Sequence, residues 1–180
     1  MLASLFWNVF SIISHITEIT KSNARTCLKK DLEFRVWAAE HDDTYALLSK
    51  KNQPNLLLEK LPNREVESSS GDTLTFMNHM YMLKQFQHQT IDSSKVIQKI
   101  ISLDPKNPHN KPDSWEQSAL LQFKNGIEKI EGYSTINGEK YFRIIHPIKI
   151  EKKCFKCHEG LGYKVDDVIG GVSISFYTAS

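Results

Sequence analysis

One turn signal constrains the fold of this chain more than any other feature. Asn137-Gly138 separates two stretches rich in β-branched and aromatic residues, 127–135 and 140–150. Asn-Gly is the strongest short-range signal for a two-residue β-hairpin, because both residues tolerate positive φ. The alternating pattern of 168–177 predicts a last strand. The C-terminal third is therefore expected to form an antiparallel sheet.

The first two thirds of the chain show helical periodicity instead. Residues 11–41 contain no Pro or Gly, and their apolar residues recur at roughly helical spacing, which predicts one long helix. A second helix is predicted over 75–89, and a third begins at a cap, Asp113 or Ser114, and stops at Gly126. Helices first and an antiparallel sheet later predict an α+β domain. The other predicted segments are a loop at 49–72 and a strand at 96–103.

The N-terminal run LASLFWNVFSII is apolar but shorter than the ~20 residues needed to span a bilayer. It also lacks the basic region and the small-residue cleavage site of a signal peptide. Two interpretations remain: an amphipathic or buried helix, or the outer end of a signal anchor that begins before residue 1. We therefore divide the chain into an N-terminal helix, 1–23, and a single domain, 24–180.

Composition limits the class of protein. With 180 residues, 40% of them hydrophobic and 24% charged, the chain has the size and balance of one soluble domain. The net charge is +2, and the basic and acidic residues are interspersed, so no nucleic-acid partner is expected. No grouping of nucleophile, base and orienting residue stands out, and no enzymatic role is expected within this chain.

The cysteines indicate a site. There are three, and two of them lie in the pentapeptide CFKCH, residues 154–158. In a CxxCH motif the two thiols form thioethers with the haem vinyl groups, and the following histidine is the proximal iron ligand. This interpretation gives Cys154, Cys157 and His158 one common ligand, covalent haem c.

Other ligands explain the motif less well. A structural zinc site needs four N or S ligands, and the chain has no second CxxC or HxxxH. A thioredoxin-like CxxC would begin a helix in a βαβ unit, whereas this motif lies between predicted strands and includes a histidine. A chance occurrence is the third alternative.

The distal iron ligand remains open at this stage. Cys27 is the first candidate, because an exported domain offers this thiol no disulfide partner; its alternative role is that of a small buried side chain. Other candidates are Met77, His79, Met80 and Met82 of the second predicted helix, and His146. Each of these also has an ordinary structural interpretation, as core or as a hydrogen-bonded histidine.

Two further residues are predicted to contact the cofactor. Arg143 lies on the strand before the motif and could pair with the haem propionates, although a solvated strand face explains it equally well. Tyr163, five residues after His158, is expected in the wall of the haem pocket or in the ordinary core.

Longer segments carry a resemblance to a family. The segments are ARTCLKKDLEFRVWAAEH, QPNLLLEKLP, TLTFMNHMYMLKQ, ISLDPKNPHNKPDSWEQSALLQFKNG and RIIHPIKIEKKCFKCHEGLGYKVDDVIGGVSIS. Together, from about Ala24 to Ser175, they resemble the haem-c sensor domain family, also described as Tll-like. The chain departs from that family at His79-Met80, where relatives tend to have Pro-Ala.

The resemblance implies a PAS-like fold and a role as the periplasmic, redox- or ligand-sensing input domain of a bacterial signal-transduction protein. Haem c is attached to proteins outside the bacterial cytoplasm, so the CxxCH motif agrees with a periplasmic location. The implied partners are a membrane anchor at the N-terminus, a kinase, cyclase or chemoreceptor output outside this chain, and a second copy of the chain. The alternative function is a monohaem c-type cytochrome that transfers electrons to a redox partner.

Overall fold

The computed structural model describes residues 2–41, 44–59, 61–90, 95–105, 107–158 and 162–178. The helices are α1 Leu2–Glu40, α2 His79–Thr90, α3 Ser114–Phe123 and α4 Phe155–His158. The strands are β1 Tyr45–Leu47, β2 Glu65–Glu67, β3 Thr73–Phe76, β4 Val96–Ile101, β5 Ile130–Ile136, β6 Glu139–Lys149 and β7 Val168–Tyr177. Short 3-10 turns lie at Leu56–Leu58, Pro108–Asn110 and Lys152–Cys154.

The larger sheet is antiparallel and has the strand order β4-β7-β6-β5. Its β5–β6 hairpin turns at Asn137 and Gly138, whose φ angles of 52° and 84° are both positive. The predicted hairpin, the predicted last strand and the α+β class are therefore confirmed. The third predicted helix is also confirmed: Asp113 is its N-cap and forms a reciprocal capping box with Glu116.

Helices cover both faces of this sheet. On one face, Ala24 and Leu28 of α1 and Leu83 of α2 pack with the inward side chains of β6 and β7. On the other face, Leu120 and Phe123 of α3 pack against Ile101 and Ile145. Alternate residues of β6 thus enter two different cores, as the two-residue period of a strand requires.

A smaller antiparallel sheet, in the order β1-β3-β2, is formed within residues 45–76, and its strand β2 lies inside the segment 49–72 that was predicted as a loop. It overturns the predicted start of the second helix at residue 75, because Thr75 and Phe76 belong to β3 and α2 begins only at His79. Thr75 pairs with Ala46 on one side and Glu65 on the other, so strand pairing stabilises the extended backbone here.

The long helix α1 is longer than predicted and runs without a break through residue 23. From Ala24 onward, one face is buried against the larger sheet, whereas residues 4–10 and 12–16 are exposed. Among the residues that the structure describes, no helix has both the length and the apolar character needed to cross a membrane.

Candidate haem-binding site

The CFKCH motif lies in a compact turn between β6 and β7. Lys152–Cys154 forms a 3-10 turn, and Phe155–His158 continues it as one helical turn. The backbone N–H of Cys154 donates to the carbonyl of Glu151 at 2.9 Å, and the N–H of Glu151 donates to the Cys154 sulfur at 3.3 Å. These contacts fix the first cysteine, which is buried. The side chain of Cys157 lies outside the described part of the structure.

A cavity of about 670 Å³ opens beside this turn. Cys154, His158 and Tyr163 form one part of its wall. The start of α2, the end of β4 and the turn near Leu57 and Leu58 contribute to the rest. This volume is in the range of small-molecule and cofactor sites, and apolar and polar side chains both line it.

His158 lines the cavity, and its surroundings favour the neutral imidazole. Its Nδ1 atom is buried and has no hydrogen-bond partner among the described residues. Burial lowers the pKa of His158 below its usual 6.5. The ring of Tyr163 stands nearly perpendicular to the imidazole, with the ring centres 6.2 Å apart. Metals bind the neutral form of histidine, so this environment favours coordination.

The cavity wall is rich in cations. Arg35, Lys51, Lys84 and Lys153 line it, whereas Asp104 is the carboxylate found among the described lining residues. The Arg35 Nε is buried without a hydrogen-bond partner in the same described set. Burial lowers the pKa of Lys84, which indicates a cost of keeping this ammonium charged without a nearby anion. The wall is therefore electrostatically suited to a ligand with carboxylates.

Arg35 also connects α1 to the motif. One of its terminal nitrogens lies 3.3 Å from a carboxylate oxygen of Glu151, and Lys153 lies 3.3 Å from the other oxygen. Partial burial raises the pKa of Glu151, but the hydrogen bond and charge of Lys153, together with Arg35, lower it overall. The helix and the motif turn thus share an ionised carboxylate.

The structure brings two of the distal-ligand candidates to this cavity. His79 and Met80, at the start of α2, line the same cavity as His158. Met77 is buried at 6% exposure and, like Met82, is not among the lining residues. His146 is also elsewhere, with its Nδ1 2.9 Å from the carbonyl of Pro147.

Cys27 does not line this cavity. It packs against the core between α1 and the larger sheet, where Gln98 donates a hydrogen bond to its sulfur at 2.9 Å. Burial raises the pKa of the thiol to about 11, which opposes the thiolate that a metal requires. Along α1, Cys27 is eight residues, or about 12 Å, from the level of Arg35.

Arg143 lies on the opposite side of the sheet, away from the cavity. It is 2% exposed, and its guanidinium is 2.8 Å from Asp113 and 2.9 Å from Glu116. It also stacks over Trp115, with its central carbon 4.6 Å from the ring centre. These partners occupy the guanidinium, so this arrangement does not provide the predicted propionate contact.

Arg35 and Lys84 are cationic residues of the cavity wall that the sequence analysis did not single out. A signal for Arg35 was present: it lies on the stripe Ala24, Leu28, Asp31, Arg35 and Ala38, where the other members are small, apolar or, like Asp31, buried. A charged residue on the buried face of a helix indicates a partner or a site. Lys84 carried no comparable signal.

Comparisons with known proteins agree with this picture. The sequence model of the Tll0287-like family matches residues 14–176. The solved structure of the cyanobacterial heme-protein Tll0287 superposes with a TM-score of 0.56 at 12% sequence identity, covering 88% of this chain and 95% of that one. At this identity the likeness concerns the fold. A search of curated proteins finds no match.

Proposed function

The chain belongs to the Tll0287-like family, and on that premise we propose that it is a periplasmic haem-c sensor domain of a bacterial signal-transduction protein. The observation that carries the proposal is the cavity in which Cys154, His158 and Tyr163 meet several cationic side chains. The similarity to a solved structure named as a heme protein supports the choice of ligand. We extend the proposal to a PAS-like classification of the fold.

Residues of this chain would hold the haem as follows. Cys154 and Cys157 attach it through thioethers, and His158 binds the iron on the proximal side. Arg35 and Lys84 pair with the propionates, since both are cationic, line the cavity and lack a full set of partners among the described residues. When bound, the haem supplies a one-electron redox centre whose potential depends on the axial ligands.

For the distal ligand we propose His79. It shares the cavity wall with His158, and an imidazole is a stronger ligand for oxidised iron than the thioether of Met80. Met80 also packs against the core beside α1, a role that already accounts for it.

A sensor needs a path from the haem to an output, and α1 provides one. Arg35 of this helix lines the cavity and pairs with Glu151 beside the motif. A buried hydrogen bond of 2.7 Å, from Gln87 to Asp31, joins α1 to α2, whose first turn bears His79. A change in iron charge or ligation would therefore alter contacts of α1. We propose that the N-terminal end of α1 connects to a membrane anchor and so to the output domain.

Covalent haem attachment is the first test. The chain is expressed with a periplasmic haem-c maturation system, denatured, and assayed for haem absorbance that stays with the polypeptide. We expect a covalent signal in wild type and in Cys27→Ala, and none when Cys154 and Cys157 are both replaced by Ala. Cys27→Ala is the matched control because it also removes a thiol. An unattached haem in wild type would refute the haem-c proposal.

Optical spectra test the distal ligand. His79→Ala should convert a low-spin spectrum to a high-spin one, whereas His146→Ala, a histidine outside the cavity, should leave it unchanged. If Met80→Ala produces the change instead, His79 is not the ligand.

Hydrogen exchange separates the sensor from an electron carrier. Exchange along α1 is compared in oxidised and reduced holoprotein, with Glu151→Gln as the variant that weakens the link to Arg35. A sensor predicts a difference between redox states that Glu151→Gln reduces. Equal exchange in both states would favour the electron-carrier alternative.

A further inference from the structure

One side of the cavity is formed by a segment without regular strands, residues 49–58, which we name the strap. Four of its residues line the cavity: Lys51, Asn55, Leu57 and Leu58. Both ends of the strap are fixed. It follows β1, where the backbone N–H of Leu48 donates to the carbonyl of Thr73 at 2.9 Å, and it ends at Leu58, which is 8% exposed.

Hydrogen bonds inside the strap hold its shape. The side chain of Gln53 donates to the carbonyl of Ser49 at 2.6 Å, and the backbone N–H of Asn52 donates to the Ser49 hydroxyl at 3.1 Å. The Asn55 side chain accepts from the backbone N–H of Leu57 at 3.1 Å and so caps the turn of leucines. Since these side chains satisfy local backbone groups, we expect the strap to move as one body about its ends.

Two side chains of α2 clasp the strap. The Tyr81 hydroxyl donates to the carbonyl of Gln53 at 3.0 Å, and the Gln85 amide donates to the carbonyl of Lys51 at 3.1 Å. In the part of the chain that the structure describes, the other hydrogen bonds of the strap stay within residues 47–61. Each hydrogen bond of this kind changes an equilibrium by about 5-fold. The clasp is therefore easily broken.

The clasp lies on the helix that faces the distal side of the site. Tyr81 and Gln85 follow the proposed distal ligand, His79, along α2, and all three line the cavity. An added ligand binds the iron on the face opposite His158. The strap and α2 therefore border the route by which such a ligand reaches the iron.

The leucines of the strap have apolar surface left to bury. Leu56 is 80% exposed, and Leu57 is 54% exposed although it lines the cavity. Leu57 thus lies at the mouth of the cavity, between the interior and solvent. Burial of apolar surface is favourable, so contact with a large apolar ligand would stabilise the closed position of the strap.

We infer that the strap is a gate: it opens by release from Tyr81 and Gln85, and in its closed position it selects the ligands that reach the iron by size. Ligands of two or three atoms pass the closed strap, whereas bulkier ligands need the clasp to break. The identity of the iron site rests on the proposed function, but the opening of the strap is a property of the chain itself. Lids of this kind control access to many buried sites.

Proteolysis of the folded, haem-free chain tests the opening. Trypsin cleaves after Lys51, an exposed residue, when the strap is released. If opening and closing are fast relative to cleavage, the cleavage rate follows the population of the open form. Tyr81→Phe and Gln85→Ala should each raise this rate about 5-fold, and the double variant about 30-fold. A rate that neither substitution raises would overturn the inference.

Two control variants remove hydrogen bonds of the same kinds elsewhere. Tyr45→Phe removes a hydroxyl that donates to the carbonyl of Asn63 at 2.8 Å, and Gln122→Ala removes an amide that donates to the carbonyl of Ser118 at 3.4 Å. Both should be cleaved after residue 51 at the wild-type rate. Thermal melts verify that no variant loses global stability. Acceleration by the controls as large as that by the clasp variants would also overturn the inference.

Ligand binding to the haem-loaded chain tests the selection by size. The distal position is opened by His79→Ala or Met80→Ala, whichever gives a high-spin spectrum, and the reduced protein is mixed with carbon monoxide or butyl isocyanide. Loss of the clasp should accelerate binding of the isocyanide about 5- to 30-fold and leave that of carbon monoxide nearly unchanged. Equal effects on both ligands, or none, would overturn the selection by size. Unattached haem together with accelerated cleavage of the clasp variants would refute the haem proposal and support the strap.

Discussion

Replacing Arg143 with Met distinguishes a structural arginine from a haem-binding one. In the structure Arg143 is buried and pairs with Glu116, whose side chain is fully buried. Met fills a similar volume but removes the charge. Glu116 would then keep only Lys99, at 2.9 Å, as an ionic partner among the described residues.

The size of the effect follows from these contacts. Removing one member of a buried ion pair costs about 3–5 kcal/mol, because the other charge remains buried. The Lys99 contact places Arg143→Met at the lower end, about 3 kcal/mol. For a chain of this length, 1 kcal/mol shifts the melting temperature by roughly 2–4 °C, so the expected loss is about 6 to 12 °C.

Urea unfolding and thermal melts measure this loss, and haem content per chain is measured below the transition. Arg25→Met is the matched control: Arg25 pairs with Glu131 at the surface, and this pair is worth at most about 1 kcal/mol. Adding Glu116→Gln to Arg143→Met should recover stability, since Gln keeps the capping box without a charge. If Arg143→Met lowers haem content but unfolds like Arg25→Met, then Arg143 binds the cofactor and our assignment is wrong.

Three other substitutions test the packing around the site. Burial raises the pKa of Asp31, so the wild type loses stability as pH rises through that raised pKa. Asp31→Asn, whose amide oxygen can still accept a hydrogen bond from Gln87, should have a higher melting temperature than wild type. The difference in melting temperature should be small at acidic pH and grow toward neutral pH; a difference that does not change with pH would contradict this. Gly170→Ala should destabilise by about 1–3 kcal/mol in urea, because the new Cβ would lie 2.2 Å from a backbone oxygen of β4, whereas Gly132→Ala, in open space, should not. Lys84→Met removes a partly buried charge, so it should raise the melting temperature of the haem-free protein. It should also reduce the increase in melting temperature that haem binding gives. If the substitution shifts the melting temperatures of the haem-free and haem-bound proteins equally, Lys84 does not contact a propionate.

Local signals predicted the C-terminal half of the fold well. The Asn137-Gly138 turn, the Asp113 cap and the alternation of β7 each act over a few residues, so they can be read directly from the sequence. The start of α2 was mispredicted because β3 is stabilised by partners distant in sequence. The periodicity of apolar residues cannot by itself reveal pairing between strands that are distant in sequence.

The site was only partly accessible to sequence reasoning. A motif specifies Cys154 and His158 by spacing, and the structure brings both to one cavity. The role of Arg143 depends on which face of β6 meets α3, and that of Cys27 on which part of α1 meets the sheet. Both positions depend on tertiary packing, which the residue type alone does not predict.

The length of α1 gives its contacts a mechanical consequence. From Arg35 to Leu5 the helix extends 30 residues, about 45 Å, and it contains no Pro or Gly at which it would hinge. A rigid rod of this length is a lever arm. A tilt of about 5° at the cavity beside the CFKCH motif would displace its far end by about 4 Å. A change too small to alter the core could thus reach the N-terminal end of the helix as a movement of the size of a side chain.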